Sequence, residues 1–194
     1  MGKRSMNSLS YGLCKPHDLL EKMKHDGLRI GDKPHPYDVF NFIITSASLN
    51  EWIPKYYENE IDPKLKATIK ECKDTNGFPN ETLAWINDVS CIPNTHFDIR
   101  IQILECILIC RHTSNASKHY NWAREDKSNI TAIEKQPEIK DYYQYFFTKT
   151  GPGLYVEYND TYYCITQVRD ILIQFYEGLL LLLEKKKLEN SENQ

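Results

Sequence analysis

Along this chain the apolar positions recur with the spacing of helices almost throughout, and with that of strands in one stretch. From Ile99 to Cys110 nearly every residue is apolar: Ile99, Ile101, Ile103, Leu104, Cys106, Ile107, Leu108, Ile109 and Cys110. In a helix that pattern means burial on all sides. The run is therefore expected to be the central helix, packed by Phe40, Ile44 and a last helix over Ile171 to Leu183. No Gly or Pro ends it, and it turns polar through Arg111, His112, Ser114, Asn115, Ser117, Lys118 and His119. At about 100° per residue, Arg111, Asn115, His119 and Trp122 share one line, with Ser114 and Lys118 beside it. A polar stripe thus prolongs a buried face.

The other helices announce themselves by their starts and stops. Pro16 opens a short amphipathic helix with Leu19, Leu20 and Met23 on one side and Gly27 as its stop. A turn with Pro34 and Pro36 delivers the chain into a second helix, whose apolar face reads as Phe40, Ile43, Ile44 and Ala47. Beside that face, Asn41, Thr45, Ser48 and Trp52 form another polar line, and it is expected to meet the line of Ser114, Asn115, Lys118 and His119 so that each satisfies the other. Pro54 is expected to bend or restart the chain. Asp62 then caps a helix with Pro63 at its first position, and its lysines mark it as a surface helix. Asn80 is expected to cap a further helix that buries Leu83, Trp85 and Ile86.

After Trp122 the pattern changes. Residues 121–138 are polar and charged and read as a mobile loop that could act as a lid. Residues 141–165 hold short aromatic-rich runs, Tyr142 to Phe147 among them, separated by turn residues, and read as a small antiparallel sheet of two or three strands. A last helix ends near Lys185 to Lys187, where the positive charges suit its C-terminal end. The expected fold is mainly α: a helical bundle around a central buried helix, with a small antiparallel β-hairpin or three-stranded sheet before the last helix. One domain spans residues 16–187, after a flexible stretch over 1–15 and before a disordered tail over 188–194.

Composition narrows the functional classes. At 194 residues the chain can bury one sizeable core. A net charge of −3 argues against nucleic-acid binding by bulk electrostatics and leaves only a local basic patch for that purpose. The start has no apolar segment of signal-peptide length, and the apolar run from Ile171 to Leu183 covers 13 residues, too few to span a bilayer. The six cysteines form no Cys-x-x-Cys pair, and Cys106 and Cys110 fall in the most apolar helix. They are expected to be core packing in a reducing cytoplasm, without disulfides. Nothing in the chain points to a metal or a cofactor, since no compact set of four ligands is visible.

The segments FNFIITSASLNEW and NASKHYNW resemble those of a group of uncharacterised bacterial helical proteins, in which a helix ending in Trp is paired with an Asn-x-x-Lys-His motif, a hairpin and a final helix. The resemblance runs from Pro16 to Leu183. More distantly the arrangement is similar to the HEPN superfamily, helical bundles that include RNA-cleaving toxins, anti-phage effectors and inactive binding members. That likeness implies an Arg and a His as the catalytic pair and a dimer with the two sites near its seam. Here Arg111 and His112 match the opening of the signature, while seven residues separate Arg111 from His119, a longer gap than that family has.

Read from the residues alone, metal-independent RNA cleavage needs a base for the ribose 2′-OH and a cation for the phosphorane oxygens. His119 and Arg111 are the candidates. Asn115 and Lys118 could hold a phosphate, with Ser114 and Asn41 beside them as further binding residues. The other reading of the stripe is a buried hydrogen-bond network that joins helices. In function, then, an RNA-cleaving or RNA-binding effector stands beside a non-catalytic module that binds a partner protein or itself. The run Leu179 to Leu183 covers more than a full turn, so a leucine must face outward; this predicts a homodimer with that helix, or the adjoining sheet, in the interface.

Overall fold

In the computed structural model, which describes residues 12–31, 33–71, 75–84, 86, 99–118, 130–133, 154–158 and 161–192, helix α1 (Pro16–Gly27) begins where the sequence places it. For residues 116–118, 130–133, 157, 161 and 162 the description is of the backbone. Pro16 has no N–H to leave unpaired in the first turn. The carboxylate of Asp18 accepts from the N–H groups of Cys14 at 2.8 Å and Lys15 at 3.0 Å. The end of the segment expected to be loose is therefore tied to the helix. Those bonds, Cys14's first, hold the Asp18 carboxyl below its ordinary value of 3.8. A lowered folded value means that the stabilisation is present at neutral pH and fades as pH falls below about 3.8. Asp18→Asn is expected to weaken the fold by about 1 kcal/mol at neutral pH and to flatten the acid limb of stability, as thermal melts across the acid range would show.

Helix α2 (Pro36–Tyr56) runs antiparallel to α1, because Arg29 approaches Asp38 at 3.7 Å near the turn while Lys22, further back, reaches Thr45 at 2.7 Å. Its buried seam is Val39, Phe42, Ile43, Ser46, Leu49, Asn50 and Ile53. This corrects the expected face: Phe40 is 46% exposed and cannot pack the central helix. The pattern misled because two seam positions are polar, Ser46 and Asn50, which shifts the apparent apolar arc by one residue. The helix also continues through Pro54. That proline lies in the last turn, where its missing N–H interrupts the ladder only once before Tyr57 N–H closes onto the Ile53 carbonyl at 3.0 Å.

Helix α3 (Pro63–Glu71) starts as expected, with an Asp62 oxygen accepting the Lys64 N–H at 2.8 Å. A 3₁₀ turn (Thr75–Gly77) and the single-turn α4 (Asn80–Leu83) follow. Asn80 is the first residue of that turn rather than its cap, Leu83 and Ile86 are half-buried against the core, and Trp85 lies outside the described residues.

Helix α5 (Ile99–Lys118) is a core helix, but burial on all sides does not hold. Ile103, Cys106, Ile107, Ile109, Cys110 and Ser114 are enclosed, whereas Ile101 is 37% exposed and Leu104 and Leu108 are half-buried. Strands β1 (Ile130–Ile133), β2 (Tyr155–Tyr158) and β3 (Thr161–Cys164) form an antiparallel sheet in that order, with Ile130 opposite Tyr158 and Tyr155 opposite Cys164. The sheet rests on α5: the His112 ring stacks on Tyr158 with centroids 6.4 Å apart, and the Tyr163 hydroxyl donates to the Glu105 carboxylate. Strand β1 falls inside the stretch expected to be a loop. The rest of 121–138, and the Tyr142 to Phe147 run, lie outside the described residues.

Helix α6 (Ile165–Glu192) closes the core with Ile171, Leu172, Phe175, Tyr176, Leu179, Leu180 and Leu183. It crosses α1 closely at Gly27, where an added Cβ would lie 3.1 Å from Ile173 Cδ1. Lys24 pairs with Glu177 at 2.7 Å, and Glu184 accepts from the Tyr57 hydroxyl at 2.5 Å. Leu181 is the outward leucine, 48% exposed. The helix runs on through 188–192, read from the sequence as tail, and Lys185 and Glu189 lie one turn apart at 3.9 Å. Among the described residues no helix is long and apolar enough to cross a membrane.

Candidate functional site

The polar half of α5 opens on the side where α2 and α3 stand apart. Arg111 is half-buried there, and its Nη1 donates to the Lys70 carbonyl at 2.8 Å. A cation at the last turn of α3 meets both an open carbonyl and the negative end of the helix. Asn115, one turn on, is exposed at the rim. Together they line a cleft of about 400 Å³ between α2, α3 and α5. Four cations, Lys55, Lys66, Lys70 and Arg111, face two carboxylates, Glu51 and Glu58, across it. Lys66 approaches Glu58 at 3.4 Å. Among the described residues the lining thus carries a local excess of two positive charges on a chain whose net charge is −3.

The floor of the cleft is held by Asn50, which is buried. Its amide donates to the Ile69 carbonyl at 3.1 Å, and its oxygen accepts from the Tyr176 hydroxyl at 3.3 Å. One side chain of α2 thereby links α3 to α6 and sets the spacing of the cleft walls. Asn50→Ala takes a partner from two enclosed groups and is expected to cost about 2 kcal/mol; Asn50→Asp, which places a charge there, should cost more. Chemical denaturation of the two variants checks the order.

The sequence-predicted residues divide. Arg111 and Asn115 come to the cleft. Ser114 is 2% exposed and faces the core, so it is not a surface ligand. Asn41 is exposed on α2 and away from this cleft's lining. Lys118 ends α5, with only its backbone described, and His119 lies outside the described residues.

Among the described residues, Thr45 and Ser48 of the α2 line bond elsewhere than to Ser114 or Asn115, and the Lys118 side chain and His119 of the other line lie outside the described residues. Thr45 donates to the Asn41 carbonyl at 2.8 Å and lies 3.1 Å from Asp26 and 2.7 Å from Lys22, while Ser48 donates to the Ile44 carbonyl at 2.8 Å. Thr45 thereby joins the buried Asp26 and its Lys22 partner on α1.

The family, curated-protein and solved-structure comparisons gave no match for this chain. The chemistry of the site therefore rests on its own geometry. Burial favours the neutral form of the α5 thiols: it pushes Cys110 up to about 12, against a smaller opposite pull from Ser46, and raises Cys106 as well. Among the described residues, no group of three or more His, Cys, Asp and Glu side chains could hold a metal. What the cleft offers is cations and amides, the donors that oxyanions need.

Lys55, Lys70 and Asn50 were not singled out in the sequence, because they lie on other elements than the stripe. A signal was present in the one-turn spacing of Lys66 and Lys70 and of Glu51 and Lys55.

Proposed function

We propose that the cleft between α2, α3 and α5 binds the phosphate backbone of RNA, and that the chain is a HEPN-like effector which cleaves the bound strand without a metal. The observation that supports this is the excess of cations around Arg111 in an otherwise acidic chain. In this reading Arg111 and Lys70 hold phosphate oxygens, and Asn115 and Lys118 orient them. His119 takes the proton from the 2′-OH, which attacks phosphorus as the 5′ oxygen leaves, and Arg111 stabilises the charge that builds on the phosphorane. The setting proposed is the cytoplasm.

The test uses a short single-stranded RNA with wild type, Arg111→Gln and His119→Ala. Arg111→Gln is expected to weaken binding about tenfold and to lower the salt slope by about 0.7, one phosphate contact on a single strand. His119→Ala should bind and fail to cut. RNA that binds equally well to Arg111→Gln overturns the site, and cutting that survives His119→Ala overturns the chemistry. Binding without cutting by the wild type leaves an RNA-binding protein and removes the enzyme.

The second reading, an interaction module, is favoured by Leu181 and Leu188, which are 48% and 64% exposed and lie two turns apart on α6. We infer a homodimer through this face. Leu181→Glu should convert a dimer to a folded monomer, read by light scattering and circular dichroism, since the side chain is outside the core. A wild type that is monomeric at high concentration contradicts the dimer.

A further inference from the structure

A second basic groove lies at the start of α3 and shares no lining residue with the cleft. We propose that it is a separate anion site, which takes a phosphate group of a nucleotide, a polyphosphate or a nucleic-acid strand. Three elements far apart in sequence bring a cation to it: Lys64 from the first turn of α3, Arg100 from the first turn of α5 and Lys186 from the end of α6. The groove is open and has a volume of about 430 Å³. Among the described residues its one lining carboxylate, Asp62, is engaged at the helix start, accepting the Lys64 N–H at 2.8 Å. The described lining therefore has three cations to one carboxylate.

Two features make this more than lysines on a surface. Arg100 is positioned, not trailing in solvent: its Nε is enclosed and its Nη2 donates to the Asn80 oxygen at 2.5 Å. The planar guanidinium is thus set at the groove before any ligand arrives, which lowers the ordering cost of binding. Lys64 and Lys186, in contrast, make no ion pair among the described residues. The like charges of these two lysines, brought together from α3 and α6, repel each other, and an incoming anion relieves that repulsion. The amides of Asn76 and Asn80 add neutral donors on the same wall.

The test titrates the full chain at low salt with pyrophosphate in one arm and a short single-stranded RNA in the other, followed by calorimetry. Lys64→Gln and Lys186→Gln should each weaken binding at the groove about tenfold, the scale of one charge-assisted hydrogen bond, and the double variant about a hundredfold. Lys64→Arg with Lys186→Arg should keep binding, which separates charge from folding damage. Lys33→Gln, an exposed lysine that lines neither the cleft nor the groove, should leave pyrophosphate binding unchanged. The arm in which the double variant loses binding names the source of the phosphate. Absence of binding in both arms, or a double variant that binds like wild type in both, overturns the proposal.

Discussion

Phe175→Ala is expected to destabilise the fold by about 3–5 kcal/mol, the scale of removing a fully enclosed aromatic ring. Phe175 is wholly buried in α6, with Phe78 packed edge-on at 5.2 Å between centroids and Tyr176 tilted at 5.2 Å. Phe78 belongs to the irregular stretch between the 3₁₀ turn and α4, so this ring pair fastens that stretch to the last helix. Its loss leaves a void that the surrounding helices can fill only in part. Phe175→Leu, which keeps most of the volume, should cost clearly less. Urea unfolding measures both, and a cost below about 1 kcal/mol for the alanine would show that the aromatic contacts are not a joint of the core.

Gly77→Ala is the second large effect, expected to cost about 3 kcal/mol, at the upper end of overpacking changes. A Cβ there would overlap the Thr68 hydroxyl and come within 2.6 Å of the Lys64 carbonyl oxygen. The hydroxyl could rotate away, but the carbonyl is backbone in the first turn of α3 and accepts from Thr68 at 3.0 Å. Relief requires α3 itself to move. Thr68→Ala should therefore fail to rescue Gly77→Ala, as a double-mutant cycle by thermal unfolding would show; full rescue would place the clash at the side chain alone. Because α3 lines both the cleft and the second groove, the same variant should weaken phosphate binding at each.

Much of the fold was legible in local signals. Pro16, the Asp62 and Pro63 pair and the Leu179 to Leu183 run fix helices because capping and spacing act within a few residues. Burial faces were less legible, since they depend on neighbours. Asn50 sits in the seam of α2 because α3 offers a backbone carbonyl there, which no pattern within α2 can reveal. Ile101 looks like core and is 37% exposed, because spacing within α5 does not tell which side its neighbours leave open. Strand β1 is four residues long among charges, too short for alternation to stand out. Arg111 and Asn115 could be read as a helical line, yet the cleft is made by Lys55 and Lys70, which only the packing of α2 and α3 brings beside them.

The most direct measurement of the proposed RNA cleft is lysine footprinting. The chain is acetylated briefly with and without a saturating single-stranded RNA, and modification is read at each lysine by mass spectrometry. RNA in the cleft is expected to protect Lys55, Lys66 and Lys70 together, and to leave Lys24 and Lys33 unchanged. Unaltered modification of all three cleft lysines under saturating RNA would contradict it.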